Sequence, residues 1–170
     1  MTIAGDQVAV EVMVDVAPAV AFEVFTDEID RWWRRGIAYR ASGRSAGVLT
    51  LEPRVGGRLF EEYEGPAGLR VHEAGTVTAW DPPGHLAFEW RGSNFAPGEV
   101  TYVEVTFALT ESGRTRVRLV HRGFAALRPD HPVRHGAPVV EFIGRFATWW
   151  GALLRAFREH AGDDRPGPTG

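Results

Sequence analysis

The sequence predicts an α+β fold in which a curved antiparallel sheet of about seven strands wraps around one long C-terminal helix. Three observations carry this reading. Val139, Phe142, Ile143, Phe146, Trp149, Trp150, Leu153, Leu154 and Phe157 recur at three- and four-residue spacing, one wide and strongly aromatic helical stripe. Glu141, Arg145, Arg155 and Glu159 fall on the opposite face. Ahead of it lie several short β-like runs, separated by glycine- and proline-bearing turns. A helix from Val139 to His160 is on the order of 33 Å long, and its rings need a large partner surface, which only those runs can supply. The space between sheet and helix is the natural place for a ligand.

The elements follow in order. Val8, Val10, Val12, Val14 and Val16 alternate with Ala9, Glu11, Met13 and Asp15, a period-two strand. Pro18 suits the first turn of a helix carrying Ala21, Phe22 and Phe25, and Asp27 can cap a second short helix carrying Ile29, Trp32 and Trp33. Gly36 to Ala46 is polar and poor in anchoring side chains except Tyr39, so it is expected to be a mobile loop near the cavity mouth, with an entrance lid as one reading and an ordinary surface loop as the other. Val48 to Glu52 and Arg58 to Glu64 form a hairpin around Pro53, Gly56 and Gly57. Glu73 to Trp80 and His85 to Trp90 are strands joined by Asp81-Pro82-Pro83-Gly84, and Thr101 to Leu109 turns through Ser112 and Gly113 into Arg116 to Arg122. A loop bearing Pro129, Pro132 and Pro138 precedes the helix. Residues 1–161 read as one domain, and 162–170 as a disordered, proline-rich tail.

Composition closes off several chemistries. The chain has no cysteine, which removes disulfides, thiolate catalysis and zinc–thiolate sites. Its 19 basic residues are all arginine, so no lysine Schiff base can form. A net charge of −3 with scattered arginines does not suit a nucleic-acid binder. The opening MTIAGDQ has no basic or apolar leader pattern, and no apolar run is long enough to span a bilayer, so a cytoplasmic protein without membrane association is expected. His131 and His135 stand four apart in a proline-rich loop rather than on a helix, and neither metal nor cofactor is expected.

The segments PRVGGRLFEEYEG, HEAGTVTAWDPPGHLAFEW, TRVRLVHRGF and WWGALLRAF resemble the SRPBCC (START-like) superfamily, over about Val8 to His160. Within it they resemble the branch named after the activator of the heat-shock chaperone ATPase. The resemblance implies a helix-grip fold with a mostly hydrophobic internal cavity under the C-terminal helix. It does not imply one activity, because the superfamily includes lipid carriers, metabolite receptors, polyketide cyclases and aromatases, and chaperone regulators linked to stress response. The eukaryotic chaperone activator carries a separate N-terminal domain with no counterpart in these residues, which speaks against a direct carry-over of chaperone activation.

Two sets of residues are candidates for the site. Trp33, Phe88, Trp90, Phe146, Trp149 and Trp150 are candidate cavity walls, with core packing as the alternative for most of them. The polar candidates lie in phase with apolar strand faces: His121 with Val117 and Leu119, Glu73 with Gly75 and Val77, and Thr101 with Val103, Val105 and Phe107. If Glu73 and His121 converge, they can orient a ligand or do general acid–base work; the alternative is that both sit solvated or arginine-paired near strand ends. The leading expectation is a binding module for a small hydrophobic or aromatic molecule. The others are a cofactor-free cyclase, aromatase or dehydratase, and a protein-interaction role in which a second copy of the chain is a candidate partner.

Overall fold

The computed structural model describes residues 6–128, 130–132 and 139–163, the side chains of 139 and 140 excepted. The valine alternation forms β1 (Gln7–Val14), and α1 (Pro18–Thr26) starts on Pro18, whose fixed φ suits a first turn. α2 (Ile29–Trp32) follows at once and ends at Trp33. Then come β2 (Gly47–Leu51), β3 (Arg58–Gly65), β4 (Gly68–Asp81), β5 (His85–Trp90), β6 (Thr101–Leu109) and β7 (Thr115–Arg122). A 3-10 turn, Phe124–Ala126, precedes α3 (Val139–Gly162), whose 24 residues span about 36 Å. His135, Pro129, Pro138 and the expected disordered tail beyond Asp163 lie outside the described residues.

The seven strands form one antiparallel sheet in the order β1-β7-β6-β5-β4-β3-β2, so the first strand closes a meander by pairing with the last. α3 packs on β1, α1 and α2, the helix-grip arrangement. One continuous apolar cluster fills the grip, with Phe25, Phe157 and Trp32 meeting at ring-centroid distances of 5.0–5.3 Å. No helix among the described residues is long and apolar enough to cross a membrane.

One strand departs from its expected pattern. β4 begins at Gly68, ahead of the expected Glu73, because Gly65 and Gly68 close a tight hairpin. It also changes phase midway: Leu59 pairs with Gly75, but the next residue, Phe60, pairs with Glu73, leaving Ala74 as a bulge. The cause is a close backbone approach. A Cβ on Gly75 would stand 1.6 Å from the Glu89 carbonyl oxygen, so only glycine fits there. Below the bulge, inward and outward faces are exchanged relative to simple alternation. His72 and Ala74 turn to the concave side and Glu73 to solvent.

Candidate functional site

Between β2–β5 and the N-terminal half of α3 lies a cavity of about 520 Å³, within the range of small-molecule sites. Its walls are aromatic. Trp33 comes from the end of α2, Trp90 from the end of β5, and Phe146 and Trp149 from one face of α3. Tyr39, from the 36–46 segment, stacks on Trp149 at 5.8 Å and 16°, and Trp33 stacks on Trp90 at 5.7 Å and 30°. The rim is open where Ile37 and Arg145 are exposed.

Among the polar residues lining the cavity, which include Arg40, Ser93 and Asn94, the adjacent pair Glu61 and His72 was missed by the sequence reading. They are direct cross-strand partners on β3 and β4, a spacing that places Cβ atoms about 5 Å apart. Glu61 follows Leu59 on the inward face of β3 and is only 2% exposed. Its carboxylate accepts the Ala41 N–H at 2.8 Å, and the Ser42 N–H at 3.4 and 3.3 Å from its two oxygens. Gly47 makes this approach possible, since a Cβ there would meet Glu61 Oε2 at 2.6 Å. Burial lowers the His72 pKa and outweighs the Arg91 backbone and the Glu61 charge, which act to raise it. His72 is therefore a neutral imidazole at neutral pH. The sequence did carry a signal for His72: Gly75, a lone glycine inside a strand pattern, marks a bulge or close approach. Reading it that way inverts the phase and brings His72 inward, opposite Glu61.

The 36–46 segment is better anchored than its composition suggested. Arg40 is 5% exposed and its guanidinium makes four bonds: to Asp30 Oδ1 at 2.7 Å and to the carbonyls of Arg34, Asp30 and Trp33 at 2.9–3.2 Å. Burial pushes the Asp30 carboxyl up, but the Leu49 N–H and the Arg40 and Arg35 guanidiniums together hold it below the usual carboxylate range. The indole N–H groups of Trp33 and Trp149 donate to the Tyr39 and Ala38 carbonyls at 3.0 and 2.7 Å. Arginine, an acid and two indoles thus tie down a segment rich in small polar residues, and the expectation of few anchors is corrected.

Of the residues expected at the site, Trp33, Trp90, Phe146 and Trp149 line the cavity. Phe88 does not: it is packed in the core. Trp150 is fully buried behind the wall, edge-on to Trp33 at 5.6 Å. Glu73 is exposed on the outer face, because the bulge reverses its phase, and the structure does not bring it together with His121. His121 does face inward, as alternation predicted, but it is sealed within the core at 0% exposed. Trp150 Nε1, which can only donate, bonds His121 Nδ1 at 3.0 Å, so the ring proton sits on Nε2. That N–H donates to Thr101 Oγ1 at 2.7 Å, and the Thr101 hydroxyl passes its own proton to the Trp90 carbonyl at 3.0 Å. Both ring nitrogens are satisfied, and burial pushes the pKa down to about 3. His121 is thus a neutral strut joining α3 to the cavity-wall strand. His131 is also buried, beside Glu99 and edge-on to Phe95.

Comparison with known proteins agrees with this architecture. A Mesorhizobium loti protein of known structure shares 20% identity at a TM-score of 0.63, covering 94% of this chain and 99% of its own. An Hsp90 activator from Plasmodium falciparum shares 19% at 0.62, covering 92% and 96%. The Aha1 dimer from Colwellia psychrerythraea shares 14% at 0.61, covering 94% and 98%. At these identities the likeness shows the fold alone. No functionally curated protein matches the sequence significantly. The profile of the family described as activator of Hsp90 ATPase homolog 1-like protein matches residues 15–159, nearly the whole sequence, and the chain belongs to that family.

Proposed function

We propose that this chain is a binding module for a small hydrophobic or aromatic molecule held between the sheet and α3. The observation that carries the proposal is the cavity itself: about 520 Å³, walled by indole and phenyl rings, with a buried carboxylate and a neutral imidazole side by side within it. Apolar walls with a few placed polar groups are the usual make-up of a ligand site. Core packing does not account for it, since the side chains of the same helix are fully buried one turn further on, at Leu153, Leu154 and Phe157. The test is extraction of bound small molecules from purified protein, followed by calorimetric titration of aromatic compounds into wild type and Trp149→Ala. Saturable binding that the variant weakens supports the reading. No binding across a broad aromatic and lipid panel overturns it.

A second reading is a cofactor-free acid–base enzyme, favoured by the pairing of Glu61 with His72 within the cavity. It differs from the first in requiring turnover, so a bound compound recovered chemically unchanged after long incubation speaks against it. The family description and the Plasmodium falciparum Hsp90 activator suggest chaperone regulation as a further role. Unaltered ATPase activity of a chaperone of this class on adding the chain would count against that role.

A further inference from the structure

We propose that the ligand carries a hydrogen-bond donor, a phenolic hydroxyl or an amine on a flat aromatic framework, and seats it on Glu61 and His72. This rests on the reading of the cavity as a binding site and adds the sign of its chemistry. Glu61 is an acceptor through and through: its carboxylate already takes two backbone N–H groups and has lone pairs to spare. The nearby arginines have partners of their own. Arg91, whose charge reaches His72, donates to the Ala96 carbonyl at 3.1 Å. Arg40 lines the cavity, but four of its five N–H donors are bound to Asp30 and to three carbonyls. Arg145 stands exposed at the rim and pairs with Glu141. His72, kept neutral by burial, adds no positive charge.

An incoming carboxylate or phosphate at this pair would therefore meet a buried negative charge with no free cation among the described cavity residues to offset it, only the neutral side chains of Ser93 and Asn94 elsewhere in the lining. A donor would meet two groups able to accept from it. The ring walls accommodate either a neutral phenol or a cationic amine, the latter with added attraction from the faces of Trp33, Trp90 and Trp149. By the same argument, a ligand that must seat a carboxylate or phosphate against Glu61 is disfavoured.

The experiment is calorimetric titration of four matched compounds into the full chain: a naphthol, its methyl ether, the corresponding naphthylmethylamine and the naphthoate. The naphthol and the amine should bind roughly tenfold or more tightly than the ether, as expected for hydrogen bonds to a charged acceptor, with the naphthoate weakest. In Glu61→Gln the ratio of naphthol to ether should fall towards one, and His72→Phe should reduce it in a variant that leaves the loop contacts of Glu61 intact. An ether that matches the naphthol, or a naphthoate that binds most tightly, overturns this inference while leaving the binding reading in place. Failure of all four to bind overturns both. The comparison among ligands on wild type decides the matter even if a variant does not fold.

Discussion

At its C-terminal half α3 is sealed against the sheet, whereas at its N-terminal half the same helix borders empty space. Leu153, Leu154 and Phe157 are buried among Phe25, Trp32 and the inner strand residues. One and two turns earlier, Trp149 and Phe146 look into the cavity. The contrast is sharpest between neighbours: Trp150 gives its N–H to His121 inside the core, while Trp149 gives its own to the Ala38 carbonyl of the roofing segment. The two inward histidines repeat it, His121 bonded on both nitrogens and His72 bordering the void. One end of the interface is built for stability; the other gives up packing, and the 36–46 segment is pinned over the gap in its place.

The largest expected effect tests that division directly. Phe157→Ala should cost about 3–5 kcal/mol in urea denaturation, because a sealed core cannot collapse around the missing ring. Phe146→Ala should cost clearly less, since its ring already faces a void, and should weaken ligand binding instead. Equal stability losses would erase the distinction between the two ends.

Next in size is a pH effect from the sealed end. The unfolded chain protonates His121 below pH 6.5, but the folded chain does so only near 3, so between those values the unfolded state binds more protons. Stability should therefore rise with pH across that window, by up to about 1.4 kcal/mol per pH unit from this residue. His72, shifted in the same direction, adds to the slope. Denaturation across the window should show a shallower slope in His121→Gln; an unchanged slope would mean the ring is not held neutral.

At the open end, Glu61→Ala leaves the Ala41 and Ser42 N–H groups without their acceptor and should cost about 1–3 kcal/mol. Hydrogen exchange gives the finer reading. In wild type, Ala41 and Ser42 should exchange slowly and the exposed residues 44–46 quickly, and the variant should abolish the difference. If the segment also acts as an entrance lid, bound ligand should slow exchange across Gly36 to Ala46 further. The smallest effect belongs to the outer face: Glu73→Gln should stay within about 0.5 kcal/mol and leave binding untouched. A Glu73 variant that lost affinity would contradict the inverted phase of β4.

The strands, the two short helices and the long aromatic helix were legible in the sequence because each is set by local periodicity and turn chemistry. His121 and Thr101 were placed inward correctly for the same reason, since alternation in β6 and β7 runs unbroken. Which inward residues are sealed and which border a void does not follow from periodicity. Trp149 and Trp150, or Phe88 and Trp90, look alike in an apolar pattern, and only the divergence of the sheet from α3 separates them. Of the polar pair, His72 was missed because the extra residue at Ala74, beside the close approach of the Glu89 carbonyl to Gly75, reverses the β4 side chains below it. The 36–46 segment was misjudged because its anchors are buried charges, and a buried arginine or glutamate reads as a surface residue until its partners are known. Sequence alone determined the elements and the faces of the unbroken ones; the tertiary structure decided the phase of β4, register, closure and the sign of the charge inside the cavity, because those depend on contacts between residues far apart in the chain.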